Sequence, residues 1–227
     1  MPLISSANVA CGAHTGDSAT MRATVELALA QGVRVGAHPG YRDPASFGRR
    51  PLDLAEDALA ADLHDQIAML RAIAEAAGTR VTHVKAHGAL YNQGERDDRV
   101  ASVIARTVAA VDPSLAVVAT PGSAMARATA LAGLSLIREG FIDRVYEPDG
   151  TLRSRAVAGA MLLDPERAAA QALGFVQGGG VCATDGSFLD LAVDTLCIHG
   201  DSPGAVEIAR AVRRVLAGAG IAVRAPV

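Results

Sequence analysis

Short apolar runs alternate with longer helical patterns along the whole chain, and this alternation constrains the fold more than any other feature. The runs are rich in Val, Ile, Leu and Ala and predict buried strands, whereas the longer segments have the apolar spacing of helices. Strands that alternate with helices form parallel sheets. About six or seven such units favour a closed βα barrel over an open doubly wound sheet. The predicted strands cover residues 3–10, 33–38, 80–87, 115–120, 134–140, 193–200 and 221–225.

Helix-capping residues and glycines divide the rest of the chain. Asp17 is placed to cap a helix over 18–31, and Asp164 and Pro165 are placed to begin another over 164–177. No stretch has the composition of a linker, so residues 1–227 are predicted to form a single domain. Further helices are predicted over about 53–77, over 97–111, from Pro121 and over 201–220, and the segment 178–191 predicts a hairpin or a loop.

Composition excludes several classes of partner. The formal net charge of −3 provides no basic surface for nucleic acid or for an anionic membrane. No apolar stretch is long enough to span a membrane, and the N-terminus lacks the features of a signal peptide. The three cysteines have no CxxC spacing, which is typical of a reducing compartment. We therefore expect a cytoplasmic protein whose partners are small molecules or other proteins.

Polar side chains concentrate at the C-terminal ends of the predicted strands. Lys85 is the only lysine in the chain, and it lies between two histidines at the end of a predicted strand. Side chains alternate between the faces of a strand, so His83, Lys85 and His87 are predicted to share one face. Parallel barrels place their active sites at this end of the strands. The other pairs predicted to share a face are Arg34 with His38, Ser6 with Asn8, and Cys197 with His199.

Several of these residues have a structural alternative. A single histidine in a strand is more often a hydrogen-bonded core residue than a catalyst, whereas four histidines converging on one barrel mouth favour a site. Asp17 and Asp201 are each placed to act as a helix cap or as a site carboxylate. The FGRR segment at 47–50 is equally consistent with anion binding and with surface charge. His64 and His83 are not assigned to the site, and Cys11 and Cys197 are interpreted as packing residues.

Several common catalytic signatures are absent from the sequence. There is no GxxxxGK[ST] loop, and no GxGxxG follows a predicted strand. The HExxH and GxSxG motifs are also missing. The chain therefore shows no nucleotide-binding, zincin or α/β-hydrolase signature of its own.

Five ordered motifs resemble those of a known family. They are SANVACGAHTGD at 6–17, GAHPGYRD with FGRR within 36–50, HVKAHGALYNQ at 83–93, DRVYEPDGTLRSR at 143–155 and DTLCIHGDSPGAV at 194–206. Together they are similar to the motifs of the LamB/YcsF family, the family of 5-oxoprolinase A subunits. The resemblance implies a βα barrel of about seven strands, related to glycoside hydrolases and polysaccharide deacetylases. It also implies ATP-dependent opening of 5-oxoproline, a lactam carboxylate, to glutamate together with two partner subunits.

The resemblance and the strand-end pattern together select the candidate site residues. Lys85 would hold the substrate carboxylate or a phosphorylated lactam oxygen as a compact cation. ATP is expected to be used together with the partner subunits, and the pattern neither requires nor excludes a divalent metal or a homo-oligomer. His14, His38, His87 and His199 would supply general acid/base function or metal ligation, and Asp17 and Asp201 would orient them. The residues expected to contact the substrate are Asn8, Tyr91, Asn92, Arg49 and Arg144.

Two other functions fit the same residues. The first is a stand-alone, metal-dependent amide or ester hydrolase of the deacetylase type, which the related fold and the histidines suggest. The second is a non-catalytic binding or assembly subunit, since Ala-rich helices with few aromatic residues also suit a packed oligomer surface.

The sequence departs from the family pattern at two points. Ala86 stands where the family usually has Pro, and family members normally begin upstream with a strand that carries an NCDLGE-like acidic motif. A barrel without its first strand leaves two strands with unpaired backbone edges. We therefore expect that Met1 is not the natural start and that an extension of roughly thirty residues precedes it, which would supply the missing strand and its pairing.

Overall fold

The computed structural model describes residues 1–226. These residues fold into two compact units, 1–137 and 138–226. Both units combine strands with helices, and the strands of the main sheet run parallel, so the chain has the predicted α/β fold class. The assignment of residues 1–227 to a single domain remains a prediction.

The first unit follows the predicted alternation of strands and helices. Its elements are β1 (Ser6–Ala10), α1 (Ser18–Ala30), β2 (Arg34–His38), a 3₁₀ turn (Pro44–Ser46), α2 (Glu56–Ala76), β3 (Val81–Val84), α3 (Gly88–Gly94), α4 (Asp98–Val111), β4 (Ala116–Ala119), α5 (Ala124–Leu131) and the first two residues of β5 (Leu136–Phe141). The Asp17 carboxylate accepts a hydrogen bond from the backbone N–H of Thr20 and caps α1, as predicted.

Helix α2 illustrates why these segments fold as they do. Leu59, Leu63, Ile67 and Leu70 recur at helical spacing, and none of them is more than 2% exposed. Burying each of these side chains stabilises the fold by about 1.5–3 kcal/mol. The apolar face of α2 therefore anchors the helix in the first unit, while its polar face lies in solvent.

The strands of the first unit pair in the order β1-β2-β3-β4-β5. Strands β1 and β2 are in register to their ends, where Ala10 lies opposite His38. The register between β2 and β3 shifts at Gly36, which comes to lie opposite His83. A Cβ atom at this glycine would lie only 2.1 Å from the Nε2 atom of His83. The irregular register thus depends on a residue without a side chain at this position.

Parallel pairing continues beyond the end of β3. The N–H of Lys85 donates to the carbonyl of Ala37 at 2.9 Å, and the N–H of His87 donates to the carbonyl of Pro39 at 2.8 Å. These two bonds hold residues 85–87 alongside the end of β2. The carboxyl ends of the two strands therefore present their polar residues together, as the alternation pattern predicted.

The second unit begins within β5 and has fewer strands. Its further elements are α6 (Pro165–Gly178), β6 (Gly180–Cys182), β7 (Phe188–Asp190), β8 (Thr195–Cys197) and α7 (Ala205–Gly218). Strand β8 pairs in parallel with β5. Strands β6 and β7 form an antiparallel hairpin, which the sequence predicted as a hairpin or a loop. The predicted cap at Asp164 is confirmed, because its carboxylate accepts from the N–H of Arg167.

Three features differ from the sequence-based expectations. The strand predicted at 221–225 is wrong, since within residues 1–226 no strand pairs with it. The chain instead leaves α7 through a left-handed glycine, Gly220, and the N–H of Ile221 turns back to the carbonyl of Leu216. The helix predicted over 201–220 begins instead at Ala205, after Gly204, so Asp201 does not have the capping role that was one of its two interpretations. The short helix α3 was not predicted, because it has a glycine at each end and no side-chain cap, so the usual start signal of a helix is absent from its sequence.

Among residues 1–226, no helix combines the length and the apolar character that a membrane crossing requires.

Candidate functional site

Lys85 is buried in the first unit, just beyond the carboxyl end of β3, and is 5% exposed. Its Nζ atom lies 5.6 Å from the ring centroid of Tyr91 on α3, within the range of a cation–π interaction. Burial, followed by the charge of Lys85, lowers the pKa of His83 to about 4. A guanidinium here would bring five N–H donors in a rigid plane into a buried position, whereas an ammonium is compact. The position therefore suits a lysine better than the arginine found everywhere else in the chain.

His38 and His87 form a hydrogen-bonded chain between two backbone carbonyls. The Nδ1 atom of His38 lies 2.6 Å from the carbonyl oxygen of Lys85, and the Nε2 atom of His87 lies 2.8 Å from that of Phe47. A carbonyl oxygen only accepts, so both of these outer nitrogens carry a proton and donate it. The two inner nitrogens, Nδ1 of His87 and Nε2 of His38, face each other at 3.1 Å. All four ring nitrogens are therefore engaged within the protein.

The proton count of this pair determines its charge. A hydrogen bond between the inner nitrogens requires one proton in addition to the two outer ones, and the pair then carries one positive charge. Burial, followed by the charges of Lys85 and His87, lowers the pKa of His38 well below its usual value. Without the additional proton, two lone pairs would face each other, so the geometry favours a positive region suited to an anion.

His14 lies against this pair but differs from it in protonation and in hydrogen bonding. Its ring stacks on that of His87 with 3.8 Å between centroids and 3° between planes. Burial, followed by the charges of His87 and Arg49, lowers the pKa of His14 to about 3, so the ring is neutral at neutral pH. Its Nδ1 atom is buried and has no hydrogen-bond partner within residues 1–226. A buried nitrogen without a partner costs about 1–3 kcal/mol, which a bound ligand would offset.

The segment 39–48 passes over the histidines and packs against them. Gln66 on α2 holds this segment at Gly40, where its Nε2 donates to the carbonyl at 2.9 Å and its Oε1 accepts from the N–H at 3.0 Å. A Cβ atom on Gly40 would lie 2.8 Å from Nδ1 of His14, and one on Gly48 would lie 2.9 Å from Cβ of His14. Gly48 also has a φ of 64°, in the left-handed region. Glycine is therefore required at both points because the backbone runs against the imidazole.

His83 has a structural position between β1 and β3. Its Nδ1 atom lies 2.9 Å from the hydroxyl of Thr82, and its Nε2 lies 2.9 Å from Oδ1 of Asn8. Because the amide oxygen only accepts, Nε2 donates this second bond. Asn8, which was predicted to contact the substrate, thus holds His83 through its side chain. A contact of Asn8 with substrate remains a prediction.

The second unit contains a histidine–carboxylate pair, of which the sequence pattern identified only the histidine. Asp143 lies just after β5, and His199 lies just after β8. The Nδ1 atom of His199 is 2.9 and 3.0 Å from the two carboxylate oxygens, and its backbone N–H donates to one of them at 2.8 Å. His199 was predicted, whereas Asp143 was missed. The available signal was its place after a strand, the same signal that marked the other candidates.

Arg144, predicted to contact the substrate, is 6% exposed in the second unit. Its Nη2 donates to the carbonyl of Arg153 at 2.6 Å, whereas its buried Nε has no hydrogen-bond partner within residues 1–226. Burial, followed by the charge of Arg155, lowers the pKa of Arg144 to about 10. The guanidinium is therefore still charged at neutral pH, and Nε can donate to an incoming acceptor.

The remaining predicted residues lie at the surface. Asp17 is exposed and caps α1, Asp201 is exposed in the turn before α7, and Asn92 and Arg49 are exposed in the first unit. The carboxylate that orients a histidine is Asp143, and the carboxylate of Asp17 is used as a helix cap. The first unit thus brings together Lys85, Tyr91, His14, His38 and His87, and the second unit brings together His199 and Asp143.

Cys11 lies near this region but does not have the properties of a nucleophile. Burial raises the pKa of its thiol to about 12, and the Sγ atom lies 3.3 Å from the carbonyl oxygen of Val9. The thiolate is the reactive form of cysteine. The protonated thiol of Cys11 therefore packs in the core, as predicted.

The donor atoms of the described residues do not fit a metal centre. Within residues 1–226, no three His, Cys, Asp or Glu side chains are gathered so that they could hold a metal ion. The parallel rings of His14 and His87 direct their nitrogens in two separate planes rather than towards one point.

Comparison with known proteins agrees with the resemblance found in the motifs. The chain is 51% identical to the 5-oxoprolinase A subunit of Symbiobacterium thermophilum over 226 residues, which are 100% of this chain and 87% of that protein. It is 49% identical to the 5-oxoprolinase A subunit of Mycobacterium avium over 223 residues, which are 98% and 88% of the two chains. Its structure matches the crystal structure of a lactam utilization protein from Thermus thermophilus with a TM-score of 0.93 and 46% identity, over 99% of this chain and 90% of that chain. The model of the LamB/YcsF family matches residues 1–227, and this chain belongs to that family.

Proposed function

We propose that this chain is the A subunit of a 5-oxoprolinase and takes part in the ATP-dependent hydrolysis of 5-oxo-L-proline to L-glutamate. Relatives that are about half identical over nearly the whole chain carry that name, and the solved relative is a lactam utilization protein. The observation that carries the proposal is the buried ammonium of Lys85 within the histidine cluster.

The charge of the first-unit site suits this substrate. 5-Oxoproline carries one carboxylate and one lactam carbonyl. Lys85 makes the region positive, and a proton shared by His38 and His87 would add to this charge, which favours a carboxylate or a phosphorylated lactam oxygen. A compact ammonium binds such a group as a point charge. We therefore assign Lys85 to substrate binding.

The three clustered histidines of the first unit, His14, His38 and His87, contribute in different ways. His38 and His87 use every ring nitrogen within the protein, and His38 holds the backbone carbonyl of Lys85. They are positioning residues for the lysine. His14 is neutral and has a buried nitrogen without a partner within residues 1–226. It is the histidine of this cluster that can contact a bound substrate directly.

The partners follow from the relatives' names and from the sequence. A protein named as one lettered subunit implies a complex of several subunits. We infer that two further 5-oxoprolinase subunits are the partners and that they carry much of the ATP chemistry, because this chain has no GxxxxGK[ST] loop. Since ATP is an intracellular substrate, we expect the complex in the cytoplasm.

The substitution Lys85→Arg tests the proposal in the complex reconstituted with its partner subunits. The assay measures glutamate formed from 5-oxoproline and ATP. We expect kcat/KM to fall by about 10- to 150-fold, which corresponds to about 1.5–3 kcal/mol for a lost bond to a charged group. Arg80→Lys is the matched control, because it makes the reverse exchange at an exposed residue just before β3. Its activity should stay within about twofold of the unaltered complex, as for most surface substitutions.

Two results would contradict the proposal. Undiminished activity of Lys85→Arg would remove Lys85 from the site. Tight calorimetric binding of 5-oxoproline without turnover, even with partners and ATP, would indicate a binding or assembly subunit instead.

A further inference from the structure

His199 in the second unit is held differently from the histidines of the first unit. Its Nδ1 faces the carboxylate of Asp143, whose side chain is 0% exposed, whereas the side chain of His199 is 22% exposed. Because Nδ1 points into the protein, the accessible edge of the ring is the one that carries Nε2. Within residues 1–226, the ring makes no hydrogen bond other than those to Asp143. His199 thus has one nitrogen fixed and one nitrogen open.

The contacts of His199 also fix its tautomer and its orientation. An ionised carboxylate only accepts, so Nδ1 carries the proton and Nε2 of the neutral ring keeps its lone pair. The backbone N–H of His199 donates to the same carboxylate, and the ring of Phe141 packs nearly parallel to the imidazole at 5.7 Å and 17°. A histidine oriented at Nδ1 by a carboxylate and open at Nε2 has the arrangement of a general base.

Asp143 is ionised despite its burial. Burial acts to raise the pKa of this carboxyl group, but the hydrogen bonds from the ring and the backbone N–H of His199, together with the charge of Arg155, outweigh burial and lower the pKa. Placing a carboxylate inside a protein costs several kcal/mol unless good bonds compensate for it, and apolar packing often serves stability equally well. A buried charge whose hydrogen bonds go to a single histidine therefore points to a role in controlling that histidine.

We propose that His199 is the proton-transferring residue of this chain and that Asp143 is its positioning residue. The identity of the substrate, a lactam, rests on the proposed function. Nε2 takes a proton from a water molecule as the water oxygen bonds to the lactam carbonyl carbon. The imidazolium then gives this proton to the ring nitrogen as the C–N bond breaks. His199 returns to its starting state, and all atoms of water and lactam are present in the amino acid product.

The first experiment examines the tautomer in the full-length chain without partners or substrate. Imidazole ¹⁵N chemical shifts are recorded for the unaltered chain and for His199→Gln, which identifies the signals of His199. We expect the Nδ1–H tautomer. In Asp143→Asn, the backbone N–H of His199 should still donate to the side-chain oxygen of the asparagine. The asparagine NH₂ group then faces Nδ1 and donates to it. We therefore expect the ring proton to move to Nε2. An Nε2–H tautomer in the unaltered chain would overturn the proposal.

The second experiment measures turnover in the reconstituted complex. His199→Gln and Asp143→Asn should each lower kcat by about 10²- to 10⁴-fold, the usual contribution of general acid–base catalysis. KM should change by no more than a few-fold, and the double variant should be no slower than His199→Gln alone, because the two residues act as a unit. Asp194→Asn is the matched control. It removes a carboxylate of the same unit that is bound to Arg138, and it should leave kcat unchanged.

The two experiments separate this proposal from the proposed function. An active complex in which folded His199→Gln keeps its kcat would overturn the proposal and leave the proposed function in place. A complex that does not open 5-oxoproline would remove the proposed function, and the tautomer measurement would still decide whether Asp143 controls His199. A large rise in KM with unchanged kcat would overturn the proton-transfer role and indicate that the pair contributes only to binding.

Discussion

Replacing Gln66 with leucine should release the segment that covers the histidines. Gln66 is 2% exposed, and its amide satisfies both the N–H and the carbonyl of Gly40. Leucine fills the space and adds no charge, so Gln66→Leu removes the two hydrogen bonds to Gly40 and the longer one from Nε2 to Asp62 at 3.3 Å without leaving a cavity. Gly40 lies against His14, where an added Cβ would be 2.8 Å from Nδ1. Loss of the hydrogen bonds to Gly40 should therefore also disturb the position of the His14 ring.

The structure sets the size of the expected effect. Each buried backbone group left without a partner costs about 1–3 kcal/mol, so the two groups of Gly40 together cost about 2–6 kcal/mol. A domain of roughly this size changes its Tm by about 2–4 °C for each kcal/mol. Gln66→Leu should therefore lower the Tm by roughly 4–24 °C.

Thermal unfolding followed by circular dichroism measures this change, and hydrogen exchange of the amides at 39–48 shows where it occurs. Gln177→Leu is the matched control, because Gln177 is an exposed residue of α6 and its replacement should change stability by less than about 0.5 kcal/mol. A folded Gln66→Leu chain with an unchanged Tm and unchanged exchange at 39–48 would refute the reasoning.

Two further predictions follow from shifted pKa values. The pKa of His14 falls from 6.5 to about 3 on folding because of burial, so the unfolded chain binds more protons between these values. The neutral His14 therefore does not reduce stability above the unfolded pKa, and the folded chain loses stability as the pH falls below it. The variant His14→Leu lacks this group. It should therefore show a flatter decline of the urea midpoint between about pH 6.5 and pH 4. An equally steep decline in the variant would contradict this assignment. Cysteine labelling with iodoacetamide at about pH 8 should modify exposed Cys182 in the native chain and spare Cys11, whose thiol has a pKa of about 12. Modification of native Cys11 at the rate of Cys182 would show that it is accessible and reactive.

The amino-acid sequence by itself determined the elements and the list of candidates. Alternating apolar runs and helical spacing predicted the parallel α/β fold, and local capping chemistry predicted the starts at Asp17 and Asp164. These signals involve residues within a few positions of each other, so they can be found without knowledge of the chain path. The polar residues at strand ends similarly identified Lys85 and His199, because the ends of parallel strands collect functional groups.

Local signals were insufficient where contacts join distant parts of the chain. The strand predicted at 221–225 had the right pattern but no strand to pair with among residues 1–226. The helix predicted from residue 201 begins only after Gly204, because the chain turns once more before α7, and the capping alternative for Asp201 is therefore not realised. A strand needs a neighbour, and a cap needs a particular backbone direction. Both conditions are set by the tertiary fold.

Only the tertiary structure decided what each histidine can do. The sequence presented His38, His87 and His199 as equivalent, yet the first two bond to carbonyls and to each other, and the third bonds to Asp143. These partners lie 40 to 56 residues away along the chain. A histidine's proton is placed by whichever acceptor the fold brings to each nitrogen, and neither composition nor spacing contains that information.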